Sequence, residues 1–232
     1  MKCLYCKSIF VTSIGWRDLF GLDHEPLLCE DCRGELVFIE GEICRQCGRA
    51  FSLFPEKYRQ NDLCSDCVEW NQKGRSISKN RSLLQYNSFL QEFMAQFKYR
   101  GDAELIKAFK SGLQTLFNKE FRDSILVPIP LSKERHFERG FNQSVLIAGL
   151  LDIPMLDALA RPLHEEKQSK KSRLDRLGNR TLFSFKTGSE VHGKSIALVD
   201  DIYTTGATVE AAGKILLDHG ARKVSSFTVA RG

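Results

Sequence analysis

The residue types best suited to chemistry lie together in residues 196–208, where an apolar run leads to two aspartates and then to a turn rich in threonine. The first N–H groups of a helix are unpaired and lie at the positive end of its dipole, so a turn that enters a helix binds phosphate readily. A glycine in that turn lets the backbone approach the anion closely, because glycine has no Cβ. The stretch therefore predicts a phosphate-binding loop formed by Thr204, Thr205, Gly206, Ala207 and Thr208.

Two adjacent carboxylates, Asp200 and Asp201, precede this loop. Carboxylates repel phosphate, but they accept hydrogen bonds from sugar hydroxyls and hold Mg²⁺ through water. An aspartate pair after a strand can also serve only as a helix cap and turn. We favour ligand binding, because charged groups at the end of a buried strand are costly without a partner. Together the pair and the loop predict a site for a ribose 5-phosphate group.

The second set of residues suited to chemistry is the eight cysteines, which form four CxxC motifs within residues 1–70. Two such motifs close one tetrahedral four-thiolate site, so the sequence predicts two zinc ions. Four thiolates leave no open coordination position, which indicates structural ions. The predicted ligands are Cys3, Cys6, Cys29, Cys32, Cys44, Cys47, Cys64 and Cys67.

Two pairings of these motifs fit the spacing. In the sequential arrangement the first and second motifs share one ion, and the third and fourth share the other. In the interleaved arrangement the first motif pairs with the third and the second with the fourth. We favour the sequential arrangement, since it closes shorter loops at a lower entropic cost. A CxxC motif can also be a redox dithiol, but four motifs in so short a segment favour metal binding.

A basic stretch predicts a second anion site. Pro128 and Pro130 end an apolar run, and Lys133, Arg139 and Gly140 follow before the next predicted helix. Cations beside the start of a helix attract an anion. An exposed basic loop that contacts only water has the same composition, and this alternative stays open.

The predicted elements place these sites in one fold. Apolar strands and amphipathic helices alternate after residue 80. This alternation is typical of an α/β fold with a parallel sheet and flanking helices. Helices are predicted at residues 87–98, 102–118 and 142–151 and after the phosphate loop, and strands at residues 125–127, 196–199 and 224–229.

Composition divides the chain near residue 75, because all eight cysteines precede it. Residues 71–82 are polar and basic and are read as a linker. We therefore predict a small cysteine-rich zinc-ribbon module at residues 1–72 and an α/β domain at residues 80–232.

The bulk properties agree with a cytoplasmic protein. A chain of 232 residues with 42% hydrophobic residues can bury a core. It contains no apolar run of the ~18 residues that span a bilayer, and its first residues lack the apolar core of a secretion signal. Cytosolic thiols stay reduced, which favours metal binding. The net charge of +5 does not by itself indicate nucleic acid.

Residues 196–208 resemble the signature of type I phosphoribosyltransferases, which bind phosphoribosyl pyrophosphate (PRPP). The resemblance implies that Asp200 and Asp201 bind the ribose hydroxyls, that the threonine–glycine loop binds the 5-phosphate, and that Mg²⁺ accompanies PRPP. It makes Lys133, Arg139 and Gly140 the pyrophosphate side. It also implies a type I phosphoribosyltransferase-like parallel sheet with flanking helices.

The chain contains in order the CxxC motifs, FKYRGD at 97–102, PIP at 128–130, RGFNQ at 139–143 and DDIYTTGAT at 200–208. In this combination the whole chain resembles the competence protein ComF family. This resemblance implies a PRPP-binding competence factor that acts on internalised single-stranded DNA during natural transformation, with the ATP-dependent DNA translocase of the ComF operon as partner. It also implies a mobile loop that carries Gln168, Arg176 and Asn179.

Two other functions stay open, a phosphoribosyltransferase of nucleotide salvage and a zinc adaptor that links DNA to a translocase. A salvage enzyme needs a hood that recognises a base, which the zinc module does not resemble, and the sequence identifies no acceptor for a phosphoribosyl group. For DNA, the basic residues within 167–176 and the aromatic side chains of Trp70 and Tyr99 supply charge and stacking surfaces.

Overall fold

The computed structural model describes residues 1–11, 26–52, 54–99, 101–161 and 182–232. The basic stretch at residues 167–176 and the residues predicted to form a mobile loop, Gln168, Arg176 and Asn179, lie outside the described residues.

Helices and strands alternate through most of the described chain. The α-helices are α1 (Glu30–Gly34), α2 (Ser65–Gln72), α3 (Ser88–Tyr99), α4 (Lys110–Glu120), α5 (Lys133–Arg139), α6 (Gln143–Gly149) and α7 (Ala207–Asp218). The strands are β1 (Arg59–Gln60), β2 (Leu63–Cys64), β3 (Asn80–Gln85), β4 (Ile125–Pro128), β5 (Leu159–Ala160), β6 (Ser184–Phe185), β7 (Ser195–Tyr203) and β8 (Lys223–Arg231). Short 3₁₀ helices cover Glu56–Tyr58 and Ala103–Phe109.

The central sheet has the strand order β3-β8-β7-β4, and every neighbouring pair is parallel. Parallel strands need crossover connections, which the intervening helices supply. Strand β8 is buried from Val224 to Arg231 and strand β7 from Ile196 to Val199, as expected of a sheet covered on both faces. The predicted α/β fold with a parallel sheet and flanking helices is therefore confirmed.

Helix α3 covers one face of this sheet. Phe89, Phe93 and Phe97 recur at four-residue spacing, which places them on one side of the helix. Phe93 and Phe97 are fully buried, and they lie in one apolar cluster with Leu126 of β4 and Phe227 of β8. Burial of each phenyl ring contributes about 2–3 kcal/mol, so this face fixes the position of the last turn of α3 next to the ends of the strands.

Strand β3 differs from the sequence prediction, because it begins at Asn80 inside the segment read as a linker. Its polar side chains are buried and paired. Ser82 shares a 2.6 Å hydrogen bond with Thr228 of β8, and Ser226 donates one of 2.9 Å to Asn80. A strand whose hydrogen bonds are satisfied internally needs no apolar run, so composition alone could not reveal it. The division into domains at residues 72 and 80 stays a prediction.

The cysteine-rich part packs directly on the parallel sheet. Gly48, in a turn with φ of +71°, would place a Cβ 2.9 Å from the carbonyl oxygen of Asn80, so only glycine allows this close approach. The side-chain amide of Asn80 donates a 3.1 Å hydrogen bond to the carbonyl oxygen of Cys47. Among the described residues, no helix combines the length and the apolar character that crossing a membrane requires.

Candidate functional site

The acidic pair lies at the carboxyl edge of the sheet, where strand β7 extends past the end of strand β4. Strand β4 ends at Pro128, which is paired with Val199 of β7. Strand β7 continues to Tyr203 with β8 as its neighbour, so Asp200 and Asp201 lie past the end of β4. The sequence prediction ended this strand at Val199. A cleft beyond the carboxyl ends of parallel strands is the usual place for a ligand in such sheets.

Asp200 is held by two donors. The hydroxyl of Ser144, in α6, donates a 3.2 Å hydrogen bond to its Oδ1, and the N–H of Asp201 donates one of 2.9 Å. Burial, together with the neighbouring charge of Asp201, raises the pKa of Asp200 to about 7. Without a ligand, this carboxyl therefore keeps its proton to a higher pH than an ordinary aspartate does.

Asp201 forms an ion pair with Lys98, which lies in the last turn of α3. The two side chains are only 14% and 15% exposed. The Oδ1 of Asp201 also accepts a 2.7 Å hydrogen bond from the N–H of Ile202. Sequence reasoning missed both Lys98 and Ser144. The position of Lys98 inside the FKYRGD stretch was the available signal for it, and no local signal pointed to Ser144.

The predicted phosphate loop has the predicted order of strand, turn and helix. Thr204 and Thr205 are exposed, and α7 begins at Ala207 immediately after the turn. Gly206 has a φ of +87°, and a Cβ there would overlap the hydroxyl oxygen of Tyr203. The hydroxyl of Thr205 accepts a 3.3 Å hydrogen bond from the N–H of Ala207. The loop thus exposes hydroxyls and the amino-terminal end of a twelve-residue helix.

The basic stretch forms helix α5, which ends at Gly140 with a φ of +74°. Arg139 donates hydrogen bonds to Gln143 at 2.9 Å and to the hydroxyl of Tyr99 at 3.4 Å. Tyr99 follows Lys98 in sequence, so the last turn of α3 connects this helix to the acidic pair. Lys133 is exposed at the other end of α5, about 9 Å along the helix from Arg139. The structure therefore brings Arg139 close to the site, with Lys133 further out.

The cysteines form two centres. The first cysteine centre is Cys3, Cys6, Cys29 and Cys32, and the second cysteine centre is Cys44, Cys47, Cys64 and Cys67. In each centre the four sulfurs lie within 4.8 Å of one another. This grouping confirms the sequential pairing of the motifs.

Sulfur spacing and donor chemistry both fit zinc. Sulfurs 2.3 Å from a tetrahedral ion lie about 3.8 Å apart. The Sγ atoms of Cys6 and Cys29 are 3.7 Å apart, and those of Cys47 and Cys64 are 3.6 Å apart. Two four-cysteine sites that fit structural zinc are therefore present, as the sequence predicts.

Known families match both parts of the chain. Residues 1–68 match the family described as a double zinc ribbon domain, and residues 138–232 match the phosphoribosyl transferase domain. The chain is 45% identical to the competence protein ComFC of Bacillus subtilis over 235 residues, covering 99% of this chain and 94% of the relative. The chain belongs to the ComF family. Its ComF relatives include the competence protein ComFC of Streptococcus pneumoniae, which is 34% identical over the whole of both chains.

In this ComF chain the second cysteine centre lies beside the phosphate loop. Trp70, in α2, donates a 3.0 Å hydrogen bond from its indole N–H to the carbonyl oxygen of Thr205. Trp70 is half-buried, so it does not offer the free stacking surface expected from the sequence. Tyr99 does offer one, because it is 64% exposed.

Proposed function

We propose that this protein is a competence factor that binds PRPP with Mg²⁺ in the cleft at the carboxyl ends of β4 and β7. One observation carries the proposal. The acidic pair lies past the end of β4, and the turn that follows it leads directly into the amino-terminal end of α7. These two features suit the two parts of a ribose 5-phosphate, whose hydroxyls donate hydrogen bonds and whose phosphate accepts them.

Each group of PRPP would have a partner in this cleft. Asp200 and Asp201 would accept hydrogen bonds from the ribose hydroxyls. The threonine hydroxyls and backbone N–H groups of the loop at residues 204–208 would bind the 5-phosphate. Arg139 would bind the pyrophosphate, because its guanidinium lies next to Tyr99 and hence near Lys98 and the acidic pair. Mg²⁺ would neutralise pyrophosphate oxygens on this side.

In this cleft we propose binding of PRPP without transfer of its phosphoribosyl group. Transfer to an acceptor would need a pocket for that acceptor and a group that removes its proton. His136 is exposed on α5, and no hydrogen bond joins it to Asp200 or Asp201 among the described residues. A salvage enzyme is therefore the weaker candidate.

Single-stranded DNA is the second ligand that we propose. Phe137, in α5, is 92% exposed, and Tyr99 is 64% exposed on the adjacent helix end. The guanidinium of Arg139 lies 5.3 Å from the centre of the Tyr99 ring. Lys133 and Arg135 lie on the same helix and are exposed. Aromatic surfaces with interspersed cations hold single strands by stacking and by phosphate contacts.

The names of the relatives support a role in natural transformation. The proteins of Bacillus subtilis and Streptococcus pneumoniae are both competence proteins, and a protein of Haemophilus influenzae that is 27% identical is named competence protein F. A protein that binds single strands in this process would work in the cytoplasm with an ATP-dependent DNA translocase. We include this partner and this location in the proposal.

Calorimetric titration with PRPP and Mg²⁺ tests the central claim. The variant Asp200→Asn with Asp201→Asn should lose measurable binding, because amides are weaker acceptors and cannot hold a cation. Asp157→Asn is the matched control, since Asp157 is 78% exposed and forms its ion pair with Lys186. PRPP affinity that is unchanged in the double variant would place the site elsewhere. A parent protein that binds DNA but no PRPP would favour the zinc adaptor.

A further inference from the structure

One buried arginine joins the second cysteine centre to the phosphate loop. Arg231 ends strand β8 and is 5% exposed. Its Nη2 donates a 3.5 Å hydrogen bond to the sulfur of Cys47, and its Nη1 donates one of 2.9 Å to the carbonyl oxygen of Thr204. A single planar group thus contacts a predicted zinc ligand and the first threonine of the loop.

A second buried arginine makes a parallel connection. Arg75 donates from Nη1 to the sulfur of Cys67 at 3.4 Å and from Nη2 to the hydroxyl of Tyr203 at 3.3 Å. That hydroxyl lies directly against Gly206. Arg75 also forms a 3.4 Å ion pair with Glu210, in the first turn of α7. Arg75 therefore fixes the loop through its hydrogen bond to Tyr203, and it fixes helix α7 through its ion pair with Glu210.

The loop has a third contact with the same centre. Trp70 lies three residues after Cys67 in helix α2, and its indole N–H binds the carbonyl oxygen of Thr205. Three consecutive loop residues, Thr204, Thr205 and Gly206, are thus each held by a group that contacts or follows the second cysteine centre. Within the described ranges, no hydrogen bond joins a cysteine of the first centre to this loop.

Charge explains why these contacts depend on the metal. A zinc ion with four thiolates has a net charge of −2, and two buried guanidinium groups lie against its sulfurs, that of Arg75 being shared with Glu210. Among the described residues, no carboxylate lies within ion-pair distance of Arg231. A buried guanidinium without a charged acceptor is costly. If the ion that holds the four sulfurs together is lost, Arg231 loses its fixed sulfur acceptor, and the guanidinium that donates to the carbonyl oxygen of Thr204 is no longer held from both sides.

We propose that the second cysteine centre holds the phosphate loop in the conformation that binds phosphate, and that Arg231 and Arg75 are the positioning residues. The inference rests on the proposed binding of PRPP by this loop. Zinc in the second centre is then required for PRPP binding, although no cysteine touches the ligand. The first centre has no such role.

The variant Arg231→Lys tests the positioning role with the metal in place. The ammonium group of lysine keeps the positive charge, but it cannot contact the sulfur of Cys47 and the carbonyl oxygen of Thr204 in the way that the planar guanidinium does. We expect two zinc ions per chain, and a PRPP affinity reduced by about tenfold or more, since a hydrogen bond to a charged group is lost. Hydrogen exchange should be faster in residues 203–208. Arg81→Lys is the matched control, because Arg81 binds the carbonyl oxygen of Arg45 in the cysteine-rich part and does not contact the loop.

A pair of cysteine variants tests the role of each centre. Cys64→Ser with Cys67→Ser should raise loop exchange and abolish PRPP binding. Cys3→Ser with Cys6→Ser should leave the rate of hydrogen exchange in the loop and the PRPP affinity close to those of the parent. Equal effects of the two double variants would overturn the proposal, as would Arg231→Lys with unchanged PRPP affinity and unchanged loop exchange.

Failure of PRPP binding itself is distinguishable. If the parent with both zinc ions binds no PRPP, the proposed function is wrong. Loop exchange that rises only with changes to Arg231 or the second centre would still support the coupling. If hydrogen exchange in the loop is the same as in the parent when Arg231 is substituted and when the second cysteine centre is substituted, the coupling is wrong.

Discussion

Lys98 and Asp201 form an ion pair between the last turn of α3 and the exposed end of β7. The positive charge also acts on Asp200, where it favours the ionised carboxylate and so lowers the pKa. Burial and the charge of Asp201 raise the pKa of Asp200, and the ammonium group of Lys98 opposes this rise. Lys98 therefore extends to lower pH the range in which Asp200 accepts hydrogen bonds from a ribose.

The substitution Lys98→Met should shift the pH dependence of PRPP binding. Without the ammonium group, the pKa of Asp200 rises above its value of about 7 in the parent. Affinity should then begin to fall at a higher pH as the buffer is made more acidic. Calorimetric titrations between pH 6 and pH 9 measure this, with Lys107→Met on the exposed surface as the control. Identical pH profiles for Lys98→Met and the parent would contradict the assignment.

Asp200→Asn should stabilise the unliganded protein at alkaline pH. The pKa of this carboxyl is about 7 in the folded protein and near 3.8 in a model peptide. The folded state therefore keeps a proton that the unfolded chain releases, so the carboxyl lowers stability as pH rises from about 4 to 7. We expect a gain of at most about 4 kcal/mol in the free energy of unfolding at pH 8, which shrinks towards zero near pH 4. Denaturant unfolding at both pH values measures it, and an equal gain at both would contradict the cause.

Gly206→Ala should remove PRPP binding because of two effects. The φ of +87° costs alanine about 1 kcal/mol, and the added Cβ overlaps the hydroxyl oxygen of Tyr203. Gly188→Ala is a matched control for the first effect alone, since Gly188 has a φ of +88° with open space around the added Cβ. Thermal unfolding should show a larger loss of stability for Gly206→Ala. Equal losses would mean that the contact with Tyr203 does not constrain the loop.

Elemental analysis should find two zinc ions per chain in protein purified without a chelator. Cys44→Ser with Cys47→Ser should retain one ion, because the first cysteine centre is complete without them. Structural zinc binding contributes directly to folding of a small module. A chelator should therefore unfold the cysteine-rich part before the parallel sheet. A parent protein with one zinc ion or none would contradict the assignment of both centres.

Phe137→Ala and Lys133→Ser should weaken DNA binding in different ways. Loss of one stacking surface should cost about 1–3 kcal/mol with no change in salt dependence, because no charge is removed. Loss of a phosphate contact should reduce the slope of log affinity against log salt by about 0.7. Fluorescence anisotropy with a labelled single strand at several salt concentrations separates the two. PRPP affinity should stay unchanged in Phe137→Ala.

Local sequence was enough to predict both kinds of site. The spacing of the CxxC motifs indicated two four-cysteine centres, and the run from Ile196 to Thr208 indicated a strand, an acidic pair and a phosphate loop. These features depend on residues that are close in the chain, where spacing and backbone geometry determine what the side chains can reach. The same holds for α3, whose phenylalanines at four-residue spacing define its buried face.

Tertiary structure decided which distant residues support those sites. Strand β3 has polar residues, and it was identified only by its pairing with Ser226 and Thr228 of β8. Trp70 and Thr205 are 135 residues apart, and Cys47 and Arg231 are 184 residues apart. Patterns of nearby residues do not predict such contacts, because the contacts depend on the order of strands in the sheet and on the way the cysteine-rich part packs against it. The sequence by itself therefore determined which residue types and spacings each predicted site contains, and only the packing of the chain joined the second cysteine centre to the predicted phosphate loop.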